Sequence, residues 1–145
     1  MRVVYDTNVV VSSFLSSHGA PAKVIKAWKN EIVDVVVSEA ILSEYRKVLS
    51  YQRIQKLHRM TDQEIEDVIN NFRKFAYVVM PKKTITVIEE DPDDNKFLEC
   101  AEEGEALYVV SGDQDLLKIG QYSGIQILTP SIFLSVIVKE ISKRK

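Results

Sequence analysis

Arg2-Val3-Val4-Tyr5-Asp6-Thr7-Asn8 is the stretch whose reading decides the fold. An apolar run rich in β-branched residues reads as a buried strand, and this one ends on an acid where the chain must leave a sheet. In open α/β sheets ligands bind beyond the carboxyl ends of the strands. Asp6 is therefore either a cap for the helix that follows or a carboxylate placed where chemistry is done. Three further acids tilt the choice toward the second.

Working outward, similar apolar runs recur at residues 32–37, 77–80, 106–110 and 125–128. The stretches between them have helical spacing. Val24, Ile25 and Trp28 form one stripe, with Trp28 read as core. Ile41, Tyr45, Val48 and Leu49 form another after a Ser38 N-cap. Thr61-Asp62-Gln63-Glu64 is a capping box that opens a helix with Ile65, Val68, Ile69 and Phe72 facing inward. Five strands alternating with helices predict an α/β fold, a three-layer α/β/α arrangement around a five-stranded parallel sheet. A single domain over residues 1–145 is expected, with residues 51–76 as a helical hairpin. Residues 84–88 read equally as a short strand or an extended connection.

Composition narrows the function classes. The chain of 145 residues is 46% hydrophobic and 28% charged, as in folded globular proteins. No apolar run nears the ~18 residues of a spanning helix, and Asp6 interrupts any signal-peptide layout. The expectation is a cytoplasmic protein with no membrane association. Its one cysteine, Cys100, has no metal-ligand spacing around it. A net charge of −2 argues against bulk attraction to nucleic acid but leaves room for a local basic patch. Such a patch is offered by the acid-free run 46–59, which carries Arg46, Lys47, Arg53 and Lys56.

The acids carry the chemical signal. At 100° per residue Glu44 falls between Ala40 and Val48, inside the apolar stripe of its helix. An inward acid needs a partner, because an unpaired buried charge is costly. Asp94 lies three before Phe97 and four before Leu98 and shares their inward face, whereas Asp91 and Asp93 fit that stripe less well. Asp113 follows the fourth apolar run, as Asp6 follows the first. Same-polarity strand ends gather on one edge of such a sheet, so Asp6, Glu44, Asp94 and Asp113 can converge. Two such charges ~5 Å apart repel by roughly 3 kcal/mol at an effective dielectric of about 20. With no inward set of Lys or Arg visible, the expected counter-charge is Mg²⁺ or Mn²⁺, which suit an all-oxygen site.

In this order and spacing, Asp6-Thr7-Asn8, the Ser38…Glu44-Tyr45 helix, Asp94-Asn95-Lys96-Phe97-Leu98-Glu99-Cys100-Ala101 and Ser111-Gly112-Asp113-Gln114-Asp115 resemble the PIN-domain nucleases. The resemblance spans nearly the whole chain and is nearest to the toxins of VapBC-like toxin–antitoxin pairs. It implies a 3-2-1-4-5 sheet with the acids at the switch point between strands one and four. It also implies Asp6, Glu44, Asp94 and Asp113 as metal-site acids, Asp115 as an auxiliary one, and Thr7, Asn8 and Ser111 as polar residues holding the site. The expected activity is that of a metal-dependent endoribonuclease, with RNA as substrate and an antitoxin as a possible partner. A non-catalytic RNA-binding or regulatory module is the alternative. In the last helix Ile132, Phe133, Val136 and Ile137 make one stripe while Leu134 and Val138 lie on the other side, which predicts a homodimer or a partner-covered face.

Overall fold

Val3, Val4 and Tyr5 are fully buried in the computed structural model, which describes residues 1–144. They belong to β1 (Arg2–Tyr5), which pairs in parallel with β2 (Asp34–Val37) on one side and β4 (Tyr108–Val110) on the other. β3 (Tyr77–Val78) extends the sheet beyond β2, and β6 (Ile125–Leu128) beyond β4, both parallel. The expected 3-2-1-4-5 order is thus present among the five parallel strands. A sixth strand corrects the expected count. β5 (Gln121–Tyr122) pairs antiparallel with β6, giving the order β3-β2-β1-β4-β6-β5. Its cause is a two-residue hairpin at Ser123 (φ 50°) and Gly124 (φ 83°), the left-handed pair whose twist matches flanking strands.

Helices fill the connections. After β1 come α1 (Thr7–Leu15) and α2 (Ala20–Lys29). After β2 come α3 (Glu39–Leu49), α4 (Gln52–His58) and α5 (Asp62–Phe75). Ser38 caps α3 by accepting from the Ile41 N–H, and the Thr61–Glu64 capping box of α5 is formed reciprocally. α4 and α5 occupy the span expected as a helical hairpin, and each packs against α3. A 3-10 turn (Pro92–Asp94) leads into α6 (Asn95–Glu103), which packs across β1, β2, β4 and β6. α7 (Gln114–Ile119) follows β4 and α8 (Pro130–Arg144) ends the described chain. Residues 84–88 are an extended connection, with Ile85 and Ile88 buried.

Aromatic contacts tie the layers together. Trp28 of α2 stacks on Phe72 of α5 with ring centroids 4.6 Å apart. The Tyr5 hydroxyl donates to the Val24 carbonyl at 2.7 Å, and the Tyr45 hydroxyl donates to the Tyr5 carbonyl. The second bond locks α3 onto the end of β1, one residue from Asp6 and one from Glu44. The phase of α8 differs from the helical-wheel reading. Phe133 and Ile137 are buried, but Ile132 is 53% exposed and Leu134 is packed against the core. Contact with α2 rotates the helix so that its inward face is centred between those positions.

Gly104 ends α6 with an ordinary φ of −84°, so backbone freedom is not its reason for being there. A Cβ at this position would lie 2.4 Å from Val36 Cγ1 in the middle of β2. Gly104→Ala is expected to lower stability by about 1–3 kcal/mol through overpacking. In urea denaturation the Gly104→Ala/Val36→Ala pair should be less destabilised than the sum of the single changes.

Candidate functional site

Asp6 stands at the last hydrogen bond of β1, its N–H donating to the Val110 carbonyl at 2.9 Å. Its carbonyl receives the first N–H groups of α1, yet its side chain makes no capping bond. The carboxylate is therefore free for another role, and it is buried. Ser111, at the matching end of β4, donates its hydroxyl to Asp6 Oδ2 at 2.5 Å and accepts the Asp113 N–H at 2.9 Å. Asp113 in turn accepts the Asp115 N–H at 2.9 Å and so caps α7. One serine hydroxyl thus joins the acids at the ends of the two central strands.

Asp94 arrives from the other side. Asn95, buried at the start of α6, accepts the Ile88 N–H at 3.0 Å and donates to the Ile88 and Pro92 carbonyls at 3.0 and 2.9 Å. This staple fixes the turn that carries Asp91, Asp93 and Asp94. One carboxylate oxygen each from Asp91, Asp94 and Asp113 lie within 4.8 Å of one another, close enough to share a metal ion. Asp94 is 7% exposed and its Oδ2 has no hydrogen-bond partner among the described residues. Burial, together with Asp113, pushes Asp94 up to about 8. Asp6 is pushed up to about 6 by burial, against the pull of the Ser111 hydroxyl and with a further push from Asp113 and Glu44. Asp113 thus pushes on both acids, and Asp6 adds to the push on Asp94, as a concentrated anionic site requires.

Glu44 is placed differently from the wheel reading. It lies at the edge of the buried face of α3, with Ala40 exposed one turn before it. Its two oxygens are engaged, one by the Thr7 hydroxyl and the other by Lys96 Nζ at 2.5 Å. Lys96 also donates to Asp93 Oδ2 at 2.7 Å. Burial opposes the charge on Lys96, but Asp93 and Glu44 outweigh it and raise the ammonium above its ordinary range. To the expectation that no inward set of Lys or Arg faces the acids the structure adds one such cation, Lys96, on Glu44 and Asp93. A lysine three residues after Asp93 reads as a surface residue, and nothing in the periodicity marks it as inward.

Of the other expected residues, Thr7 and Ser111 are buried and hold Glu44 and Asp6, while Asn8 is exposed at the start of α1. Asp115 is half-buried in the first turn of α7. Asp91 was the acid that helix phase passed over. It precedes the 3-10 turn with φ −138°, where a helical wheel does not apply. Arg46 is paired with Glu66 of α5 at 2.6 Å, so the basic run is acid-free in sequence but not in space. His58 is half-buried and bridges the Leu49 carbonyl and the Met60 N–H. Cys100 is buried, and burial pushes its thiol up to about 12, which leaves no thiolate for nucleophilic work at neutral pH.

The arrangement offers hard oxygen donors around a buried, unpartnered carboxylate oxygen. Among known proteins, an uncharacterised protein of Methanocaldococcus jannaschii is 28% identical over 119 residues, covering 82% of this chain and 75% of that protein. The family model described as PIN domain matches residues 2–115. That match begins with β1 and ends at Asp115, taking in every acid described above. The chain belongs to the PIN domain family.

Proposed function

We propose that this protein is a metal-dependent endoribonuclease that hydrolyses RNA phosphodiester bonds. The observation that supports it best is the orphaned, buried Asp94 Oδ2 beside Asp91 and Asp113. A buried carboxylate oxygen without a donor is costly, and a divalent cation is the partner that three converging carboxylates suit. Oxygen-only donors favour Mg²⁺ or Mn²⁺ over softer metals. Asp94, Asp113 and Asp91 would hold the ion, with Asp6 completing the anionic wall and Asp115 and Glu44 at its margin. A bound divalent ion would supply Lewis-acid activation of water and of the scissile phosphate. The chain's own part is to fix that geometry. Ser111 sets the Asp6 carboxylate, α7 sets Asp113, and the Asn95 staple sets Asp94. Thr7 and Lys96 hold Glu44 where it can orient a water.

The finer roles follow the family resemblance. The chain is read as the toxin of a toxin–antitoxin pair. Ile132 and Val138, both more than half exposed on α8, are the apolar surface that a second copy or an antitoxin would cover. Lys47, Arg53 and Lys56 are read as part of the RNA-facing rim, together with Arg46 once Glu66 gives it up. No helix among the described residues is long and apolar enough to cross a membrane.

The decisive experiment incubates labelled single-stranded RNA with the protein in Mn²⁺, Mg²⁺ or chelator. Cleavage is expected with either ion and not with chelator, and Asp94→Asn should lower it on the order of 100-fold or more. RNA binding without metal-dependent cleavage would replace the nuclease by the non-catalytic module. Stability gives a second readout. Because Asp94 and Asp6 are raised from an ordinary 3.8 to about 8 and about 6, the folded metal-free chain keeps protons that the unfolded chain releases. Their contribution to stability is full below pH 3.8 and is lost as pH rises through about 6 and then about 8. In chelator, Asp94→Asn should therefore melt higher than the parent at pH 8, by on the order of 1–3 kcal/mol, and the gap should close toward pH 4. Mn²⁺ should raise the melting temperature of the parent far more than that of Asp94→Asn. Equal metal shifts in both would make Asp94 scaffolding.

A further inference from the structure

Arg46, the first cation of the expected RNA-facing run, is bound in a two-pronged pair to Glu66, at 2.6 and 3.2 Å. The cation set against the acids themselves is Lys96, whose side chain is 14% exposed. Its two carboxylate partners are unequal. Glu44 is 21% exposed and is held from behind by the Thr7 hydroxyl, so it anchors the ammonium. Asp93 is 72% exposed and stands in the 3-10 turn at an open groove of about 640 Å³, which Lys96, Thr84, Thr86 and Glu99 also line. An exposed anion thus rests on a sequestered cation, beside the acid cluster and open to a solvent groove.

We propose that Lys96 binds a backbone phosphate of the nucleic acid at the acid cluster, and that Asp93 is its resting counter-ion, exchanged for that phosphate. The proposal rests on the nuclease reading and deepens it. A phosphodiester brings negative charge toward Asp6, Glu44, Asp91, Asp94 and Asp113, and a divalent ion offsets two of those charges. A fixed ammonium is the added positive charge that approach needs. Exchange on Lys96 swaps one exposed oxygen anion for another. Asp93 is already mostly exposed, so its return to water changes its own solvation little, and Lys96 keeps the Glu44 partner throughout. The Glu44 anchor keeps Lys96 from following Asp93 outward. The phosphate is then held at a set position relative to Asp94 and Asp113. A lysine serves this as a compact point charge with three donors, two of which go to Glu44 and Asp93.

The test is fluorescence anisotropy with a short fluorescein-labelled single-stranded RNA, and with DNA of the same sequence, across a salt series in Ca²⁺. Parent, Asp93→Asn, Lys96→Gln, Lys96→Arg and the Asp93→Asn/Lys96→Gln pair are compared after melting curves confirm folding. Asp93→Asn should tighten binding of both nucleic acids about three- to tenfold, because a competing internal anion is gone. Lys96→Gln should weaken binding about tenfold and reduce the salt slope by about 0.7, the share of one single-strand phosphate contact. Lys96→Arg should retain binding, and Asp93→Asn should have no effect in the Lys96→Gln background. A folded Asp93→Asn that binds no tighter than the parent overturns the exchange, as does an unchanged salt slope in Lys96→Gln. Tightening for RNA alone would overturn phosphate as the group exchanged. If the parent cleaves and binds RNA while Asp93→Asn changes nothing, only this inference falls. If the parent binds no RNA, the nuclease reading falls with it.

Discussion

β1 and β4 lie side by side and parallel, with Val3 opposite Tyr108, Val4 opposite Val109 and Tyr5 opposite Val110. That register brings Asp6 and Ser111 out of the sheet together, at the point where the strand order reverses direction. Parallel pairing at this switch point is what lets residues 105 positions apart share one hydrogen bond. The buried faces of both strands hold it in place, since Val4, Tyr5, Val109 and Val110 are fully inaccessible to water. A slip of one residue would exchange the two buried faces of the strand, spoil their packing and carry Asp6 away from Ser111. Burial of a few aliphatic side chains thus sets the geometry of the acids.

The remaining acids depend on connections between elements more than on the elements themselves. Glu44 is positioned because its neighbour Tyr45 donates to the Tyr5 carbonyl. Asp94 and Asp91 are positioned because Asn95 stitches the preceding turn to Ile88. Asp113 is positioned because its side chain caps α7. Each anchor uses hydrogen bonds to backbone groups, which keeps charged carboxylates from relaxing apart under their mutual repulsion. The site stores electrostatic strain, and the surrounding fold restrains it.

How much of this was legible in the sequence depended on whether a periodicity carried the information. β1, β2, β4 and β6 are apolar runs ended by polar residues, and they sit where the pattern put them. Asp6, Asp94 and Asp113 could be found because strand ends and a helical stripe locate them. β5 has only Gln121 and Tyr122, too few residues for an alternation, although the Ser-Gly pair after it was a readable hairpin signal. β3 stops at Val78, two residues short of the expected end. Asp91 and Lys96 were passed over because their positions come from a 3-10 turn and from a contact across 52 residues between α6 and α3. The same holds for Glu66 beside Arg46. Long-range ion pairs leave no trace in local spacing, so a run that is acid-free along the chain can still be neutralised in space.

The two outer strands of the sheet, β3 and β5, are each only two residues long. An open edge presents unpaired backbone groups on which a foreign strand can template. At this end the exposed Tyr77 and Val78 would make such an edge sticky. The β2–β3 ladder ends at Val37 and Val78, and β5 is confined between Gly120, which ends α7, and the Ser123-Gly124 turn. With a net charge of only −2, repulsion between copies is weak. What guards both edges is brevity: a strand that docked at either side would find too few partners to stay.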